Sequence, residues 1–542
     1  MEFNQIQCVL QCVFRFLDTP QKKKLITQLI ACWNFITPNI LERIKYYWNQ
    51  RPLAFILVAA FLVRIISILF SKGYGMHDDH FLVIEAAQSW VDGEDYNKWL
   101  PKNRKDGAPT GHSWFYVGLH YYFFQFLEFI GILGAQTKLY FVRLLHALWY
   151  LMAIRYAFKI TLKLDSESTA KMVGLFMAFL WFTPILSVRN LVEVVCLTPL
   201  LGATWFLLKT ENMTLKNIIF AGLLIGVSVS IRFQIIFFLG GIGLVLLTKN
   251  IGKTIGFGLF FLISLFICQI GDVFLWGRPF AEFTEYIAYN LANKTTYAVR
   301  PWYMYFGTIG GLLLPPLSLF LYAGWSKVFK KKYLLVLVPS LVFFGFHCYF
   351  PNKQERFIIP FLPYFIILGW IGWRQLLSEY ASRLGKFDKY GMRFFWGLNS
   401  ILLLAVTPAY SKKSRVETME YFKGIDNYQG VYVEHTVGYS SPLLPKYYTG
   451  KWFSQIRLKK GLKVSEIIKT NSSLPADIRR NHVVFFEAED LDKRIASFEE
   501  NCSCSLKPLA EFEPSYLDKF VHWLNPVNDN EKAFVYELIY TV

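Results

Sequence analysis

Residues 77 to 85 read HDDHFLVIE, so two adjacent carboxylates, Asp78 and Asp79, stand between His77 and His80 and precede Glu85. A carboxylate held beside a sheltered site can take the proton from a hydroxyl as that hydroxyl attacks. An acidic pair in a solvated loop only keeps the loop in water, and the local sequence leaves the two readings level. The apolar residues of HFLVIEAAQSWVDG recur at helical spacing, which predicts a short helix lying flat on a membrane surface.

A second group occupies the turn NKQERF, where Lys353, Glu355 and Arg356 sit between two apolar runs and Pro351, Pro360 and Pro363 shape the ends. Charges at a membrane edge are costly unless paired or functional, and a guanidinium forks onto phosphate oxygens. Lys353 and Arg356, with Glu355 orienting them, suit an anionic headgroup; snorkelling anchors are the plainer reading. A third group lies in residues 271 to 306, GDVFLWGRPFAEFTEYIAYNLANKTTYAVRPWYMYF, which set Asp272, Asn290, Arg300 and Trp302 among many aromatic rings. Such rings suit sugar stacking as well as an interfacial aromatic belt. Within apolar runs lie Arg189, Asn190 and Glu193, then Arg232 with Gln234, readable as intramembrane pairs with a structural task.

The elements that must position these groups are membrane helices. Of the 542 residues, 54% are hydrophobic and only 18% charged, more apolar than a soluble core of this size requires. About eleven apolar runs approach the roughly 20 residues needed to span a bilayer. They lie near 52–70, 112–134, 139–162, 171–188, 190–208, 215–248, 253–276, 302–322, 333–350, 357–373 and 394–410, and the run 215–248 reads as one long helix or two short ones. The first is preceded by a basic segment, 1–51, without a small-residue cleavage site, so it reads as a retained span.

The net charge of +18 falls entirely before residue 411, since the remainder carries 18 Lys and Arg against 18 Asp and Glu. The excess sits in short loops such as QKKK at 21–24, the positive-inside pattern, and nothing resembles a basic face for nucleic acid. An odd number of spans puts the catalytic loops 71–111, 271–301 and 350–357, with everything after 410, on the outer face. Residues 411–542 show strand-like runs, GVYVEHTVGY and HVVFFEAED, and an amphipathic helix, DLDKRIASFEENC, which predict a small extracytoplasmic α/β domain. The eight cysteines show no disulfide framework or zinc spacing; only Cys502 and Cys504 are close.

Taken together these segments resemble the superfamily C glycosyltransferases, specifically family 22, the α-mannosyltransferases that use dolichol-phosphate mannose. HDDHFLVIE is similar to the family block H-P-D-E-x-F-Q-x-x-E, with Asp78 and Asp79 on its acidic pair, Glu85 on its last Glu, His77 in place of Pro and Leu82 in place of Gln. RNLVE and SIRFQ resemble its intramembrane Arg and Glu positions and its R-P-T segment. The aromatic loop follows its Asp, Asn and Pro-Trp pattern. NKQERF resembles H-K-E-E-R-F, with Asn352 and Gln354 substituted.

The resemblance implies a polytopic α-helical transmembrane domain, 52–410, followed by the domain 411–542. It implies an inverting transfer of a sugar, most readily mannose, from a polyprenyl-phosphate donor to a glycan or lipid-linked acceptor. Asp78 would act as base beside Asp79, Lys353, Glu355 and Arg356 at the donor phosphate, and Glu85, Arg232, Asp272, Asn290, Arg300 and Trp302 would contact substrate. No cofactor is required; a divalent metal at the acidic pair is possible but unsupported. Arabinose or glucose are other sugars such a lipid can carry. The competing class, a transporter or flippase of lipid-linked glycans, would place charges along a mid-membrane path, often with internal repeats, and no repeat is seen. A membrane acyltransferase would centre on histidine, with His77, His80, His112 and His347 the candidates. Composition favours a bacterial plasma membrane, with the endoplasmic reticulum as the alternative.

Overall fold

Breakers in the apolar runs decide where helices end. A computed structural model describes residues 42–540 apart from 104–108, 110–112, 439–441, 461–463, 473, 476–478 and 529–530. Most of segment 1–51, and His112, therefore lie outside the described residues. The chain divides between Val58 and Ala59, and the helical body and C-terminal sheet both belong to the second unit. Among the described residues, four helices are long and apolar enough to cross a bilayer, Pro52–Phe70, Ile251–Cys268, Lys331–Tyr349 and Glu355–Glu379.

Several of the expected spans take a different form: 171–188 and 302–322 are each broken into two helices, Glu167–Phe179 with Thr183–Ser187 and Met304–Leu312 with Leu317–Trp325. The helix Trp114–Phe129 has both ends on one face. Its first residue donates its N–H to Glu282 (2.8 Å), while Glu128 near its end accepts from Lys138 (2.5 Å) and from Gln88 (2.8 Å). Its aromatic and half-polar sequence suits the interface, so Trp114–Phe129 fits a surface helix better than a crossing. The run 215–248 is two helices, Leu215–Ile231 and Ile236–Leu247, separated at Arg232. The Asn212 carbonyl before the first accepts from Lys253 after the second, so the pair crosses and returns.

Small residues let the helices approach. A Cβ on Gly222 would lie 2.8 Å from the Phe257 carbonyl oxygen, and one on Gly226 2.4 Å from the Ser264 Cβ. Leu215–Ile231 and Ile251–Cys268 therefore pack almost backbone to backbone, as small-residue repeats allow in membranes.

After Ala381–Val406 the chain forms a five-stranded sheet. Its strands are β1 Val431–His435, β2 Gln455–Lys459, β3 His482–Phe486, β4 Cys504–Phe512 and β5 Ala533–Tyr540, in the order β2-β1-β3-β5-β4. The first three are mutually parallel, and β5 and β4 add antiparallel. The central strands β1 and β3 are buried throughout, which explains their largely apolar sequence, broken only by Glu434 and His435 in β1 and His482 in β3. Both strands and the helix Leu491–Cys502 agree with the sequence reading. Cys502 and Cys504, the two close cysteines, are bonded to each other although the spacing of the eight showed no disulfide framework: a turn at Ser503 brings their Cα atoms to 5.2 Å.

Candidate active site

The acidic pair lies where the first membrane helix gives way to the surface helix. Two buried arginines fix this junction. Arg143 donates to the Gly73 carbonyl (3.0 Å) and to that of Ile68 (3.4 Å). Arg189 donates to Ser71 Oγ (2.8 Å), to the Lys72 carbonyl (3.2 Å) and to that of Gly73. Cations here satisfy carbonyls left open at a helix C-terminus. Asn190 donates to the Asp79 carbonyl, and the Met76 N–H donates to Asp79 Oδ1 at 2.8 Å. A π-helical turn, His80–Ile84, then leads into Glu85–Val91.

Asp78 and Asp79 face a cavity of about 790 Å³, which Arg232, Asn290, Glu355 and Arg356 also line. Tyr116, Tyr286, Tyr289 and Tyr297 supply its aromatic wall. Arg356 Nη2 donates to Asp78 Oδ2, and its Nε donates to Gln354 Oε1 at 3.0 Å. Behind them the wholly buried Glu193 lies 3.6 Å from Arg356 Nε and 3.2 Å from Arg232 Nη2. Arg232 also donates to Gln234 (2.6 Å), and both guanidinium groups lie over the Phe357 ring. Two acids and two arginines thus form one neutral network with its polar edge in the cavity.

Burial pushes the Asp79 carboxyl up to about 6, against the opposing pull of Arg189, His80, the Met76 N–H and Arg356. Asp78, with 39% of its side chain exposed, is the more accessible of the two to an incoming hydroxyl.

Five residues expected to contact substrate or phosphate do not line this cavity. Lys353 is buried with its ammonium donating to the Phe350 carbonyl, so the turn folds it inward and away from any phosphate there. Glu85 is buried and accepts the Tyr447 N–H at 3.0 Å. His80 stacks between Tyr74 (4.6 Å) and Tyr448 (5.8 Å), so Glu85 and His80 form a socket for the C-terminal domain. Asp272 accepts the Glu282 N–H (3.1 Å), and burial, reinforced by Asp272, holds the Glu282 carboxyl well above its usual range. Arg300 and Trp302 are exposed. Arg300 acts through its backbone, donating N–H to the Pro351 carbonyl (3.2 Å) as the Lys353 N–H does to that of Ala298 (2.9 Å). These bonds strap the aromatic loop to the NKQERF turn.

Sequence reasoning offered the aromatic rings of 271–306 only as a group, gave Tyr116 no place, and treated Glu193 as structural. RNLVE was the available signal for Glu193, because a carboxylate inside an apolar run requires a partner. Among the described residues, Glu487, His522 and Glu531 offer ligand atoms within 4.8 Å of one another, and none of them lines the cavity.

The sequence model of the Alg9-like mannosyltransferase family matches residues 53–437. GPI mannosyltransferase 3 of Saccharomyces cerevisiae is 25% identical over 164 residues, 28% of this chain and 26% of that protein. The chain thus aligns with about a quarter of the length of this curated relative. Among solved structures, ArnT from Cupriavidus metallidurans bound to undecaprenyl phosphate superposes with a TM-score of 0.59 at 12% identity, over 89% of this chain and 97% of that one. The apo Archaeoglobus fulgidus oligosaccharyltransferase gives 0.50 at 11% identity, over 81% and 70%. These likenesses establish the superfamily C glycosyltransferase fold of an integral membrane protein.

Proposed function

Because the chain belongs to the Alg9-like mannosyltransferase family, we propose that it transfers mannose from a polyprenyl- or dolichol-phosphate donor to a glycan or lipid-linked acceptor. The observation that carries this reading is the Asp78–Arg356 pair in the cavity wall. It sets a proton acceptor beside a cation suited to phosphate.

The acceptor hydroxyl attacks the anomeric carbon opposite the phosphate, inverting its configuration, while Asp78 takes the hydroxyl proton. The bond from the anomeric carbon to the phosphate oxygen breaks, and its electron pair leaves with the polyprenyl phosphate. Arg356 and Arg232 balance the charge that grows on that oxygen. Asp79 tunes Asp78 and orients the acceptor, Asn290 and the tyrosines meet the sugar, and Glu355 stands at the phosphate side. The reaction needs no cofactor, because each proton and charge has a side chain to receive it.

The endoplasmic reticulum is our preferred location over the bacterial plasma membrane favoured by composition; the support is the yeast relative. A GPI-like glycolipid is accordingly the first acceptor to test. Protein in nanodiscs is given acceptor lipid with radiolabelled dolichol-phosphate mannose or, separately, GDP-mannose. Label should reach the acceptor from the lipid donor alone; transfer from GDP-mannose would refute the donor class.

A further inference from the structure

Glu193 touches the cavity's cations but does not line the cavity. A simple counter-ion would account for its burial, yet the division of Arg356 is more specific. The Nε edge of this guanidinium faces Gln354 and Glu193, while Nη2 reaches the cavity and holds Asp78. Arg232 is likewise tied on one side by Glu193 and Gln234. One buried carboxylate therefore anchors the inner edges of both arginines.

We infer that Glu193 is a positioning residue that fixes Arg232 and Arg356 for the donor phosphate and competes with Asp78 for Arg356, which keeps Asp78 able to act as base. The donor phosphodiester and Asp78 then bind the same Nη2 edge in turn. Donor binding releases Asp78, so the base becomes available only when a sugar is in place. This inference rests on the reading of Asp78 as base.

Substitution Glu193→Gln changes the sum over Arg232, Arg356, Asp78 and Glu193 from zero to plus one, while His77, Asp79 and Tyr297, titratable groups that also act on Asp78 or Arg356, stay as they are. Asp78, the remaining anion hydrogen-bonded to Arg356, is then held harder. An added net cation beside a carboxylate makes it less basic. The acid limb of the pH–kcat profile should move down by about one unit, the size of a typical single-charge effect. The plateau kcat should fall about tenfold, as a Brønsted base loses strength, while the donor KM does not rise. Glu193→Asp should restore part of kcat. Arg232→Gln, which returns all of Glu193 to Arg356, should move the limb the opposite way.

Folded protein is quantified for each variant by thermal unfolding in detergent. If Glu193→Gln does not fold, Arg232→Gln carries the test through its upward limb shift, with Glu193→Asp, which keeps the charge, expected to leave the limb in place. A limb that stays fixed in every folded variant overturns the inference, and so does a raised donor KM with kcat intact. If Asp78→Asn itself remains active, the underlying reading of the base fails instead.

Discussion

Arg356 donates to Asp78 across 278 residues of sequence, joining the turn after one membrane helix to the turn before another. Neither residue acts alone in this geometry. The guanidinium keeps the carboxylate ionised and near the cavity, and the carboxylate keeps the guanidinium pointed where a phosphate would arrive. Glu193 lies 3.6 Å from Nε of the same guanidinium, so Arg356 is shared between two carboxylates.

Arg356→Lys tests the forked contact. The charge is kept but the two edges are not, and a hydrogen bond to a charged group contributes about 1.5–3 kcal/mol. Steady-state transfer at varied donor should show kcat/KM lower by roughly 10- to 100-fold. Wild-type kinetics would mean that the phosphate is held elsewhere.

Asp79→Asn separates stability from function. Burial holds the folded carboxyl at about 6, above its ordinary value of 3.8, so protonation favours the fold. Its stabilising effect is complete below pH 3.8 and lost as pH rises through 6. At neutral pH the ionised group therefore costs about 3 kcal/mol. Thermal unfolding in detergent should show the variant more stable than wild type at pH 7.5 and equal to it near pH 4, while transfer falls. Lower stability at pH 7.5 would contradict the assignment of a burial cost to Asp79.

Lys353→Met probes the inward-facing ammonium. It should lower the melting temperature of the protein, because the Phe350 carbonyl loses its donor, at about 1–3 kcal/mol for such a loss. The donor KM should stay within about threefold of wild type, a change of less than 1 kcal/mol. A large KM increase would return Lys353 to the phosphate site.

Chelation addresses the acidic pair. Transfer assayed after EDTA treatment, with and without added Mg²⁺, should be unchanged, since Arg356 already supplies the cation at Asp78. Loss of activity restored by Mg²⁺ would place an ion at Asp78 and Asp79.

Much of this architecture was legible because composition and periodicity report the solvent of each segment. The strands of the C-terminal domain follow from such patterns. Hydropathy could not distinguish Trp114–Phe129 as an interfacial helix, since aromatic residues suit interface and bilayer alike. It also could not show that Arg232 ends a helix, because an arginine in an apolar run is equally consistent with continuity. Within the site, residue type identified Asp78 and Arg356 but not side-chain direction. Lys353, three residues from Arg356, turns inward, and Glu85 faces the C-terminal domain; both depend on tertiary contacts absent from local sequence.

The central claim is that Asp78 takes the acceptor proton. Wild type and Asp78→Asn, matched for folded protein in nanodiscs, are compared for single-turnover transfer from radiolabelled dolichol-phosphate mannose to the acceptor lipid. The account predicts a loss of at least about 100-fold in the rate of transfer, within the range for general base catalysis, with donor binding retained. Transfer at the wild-type rate in Asp78→Asn would contradict it.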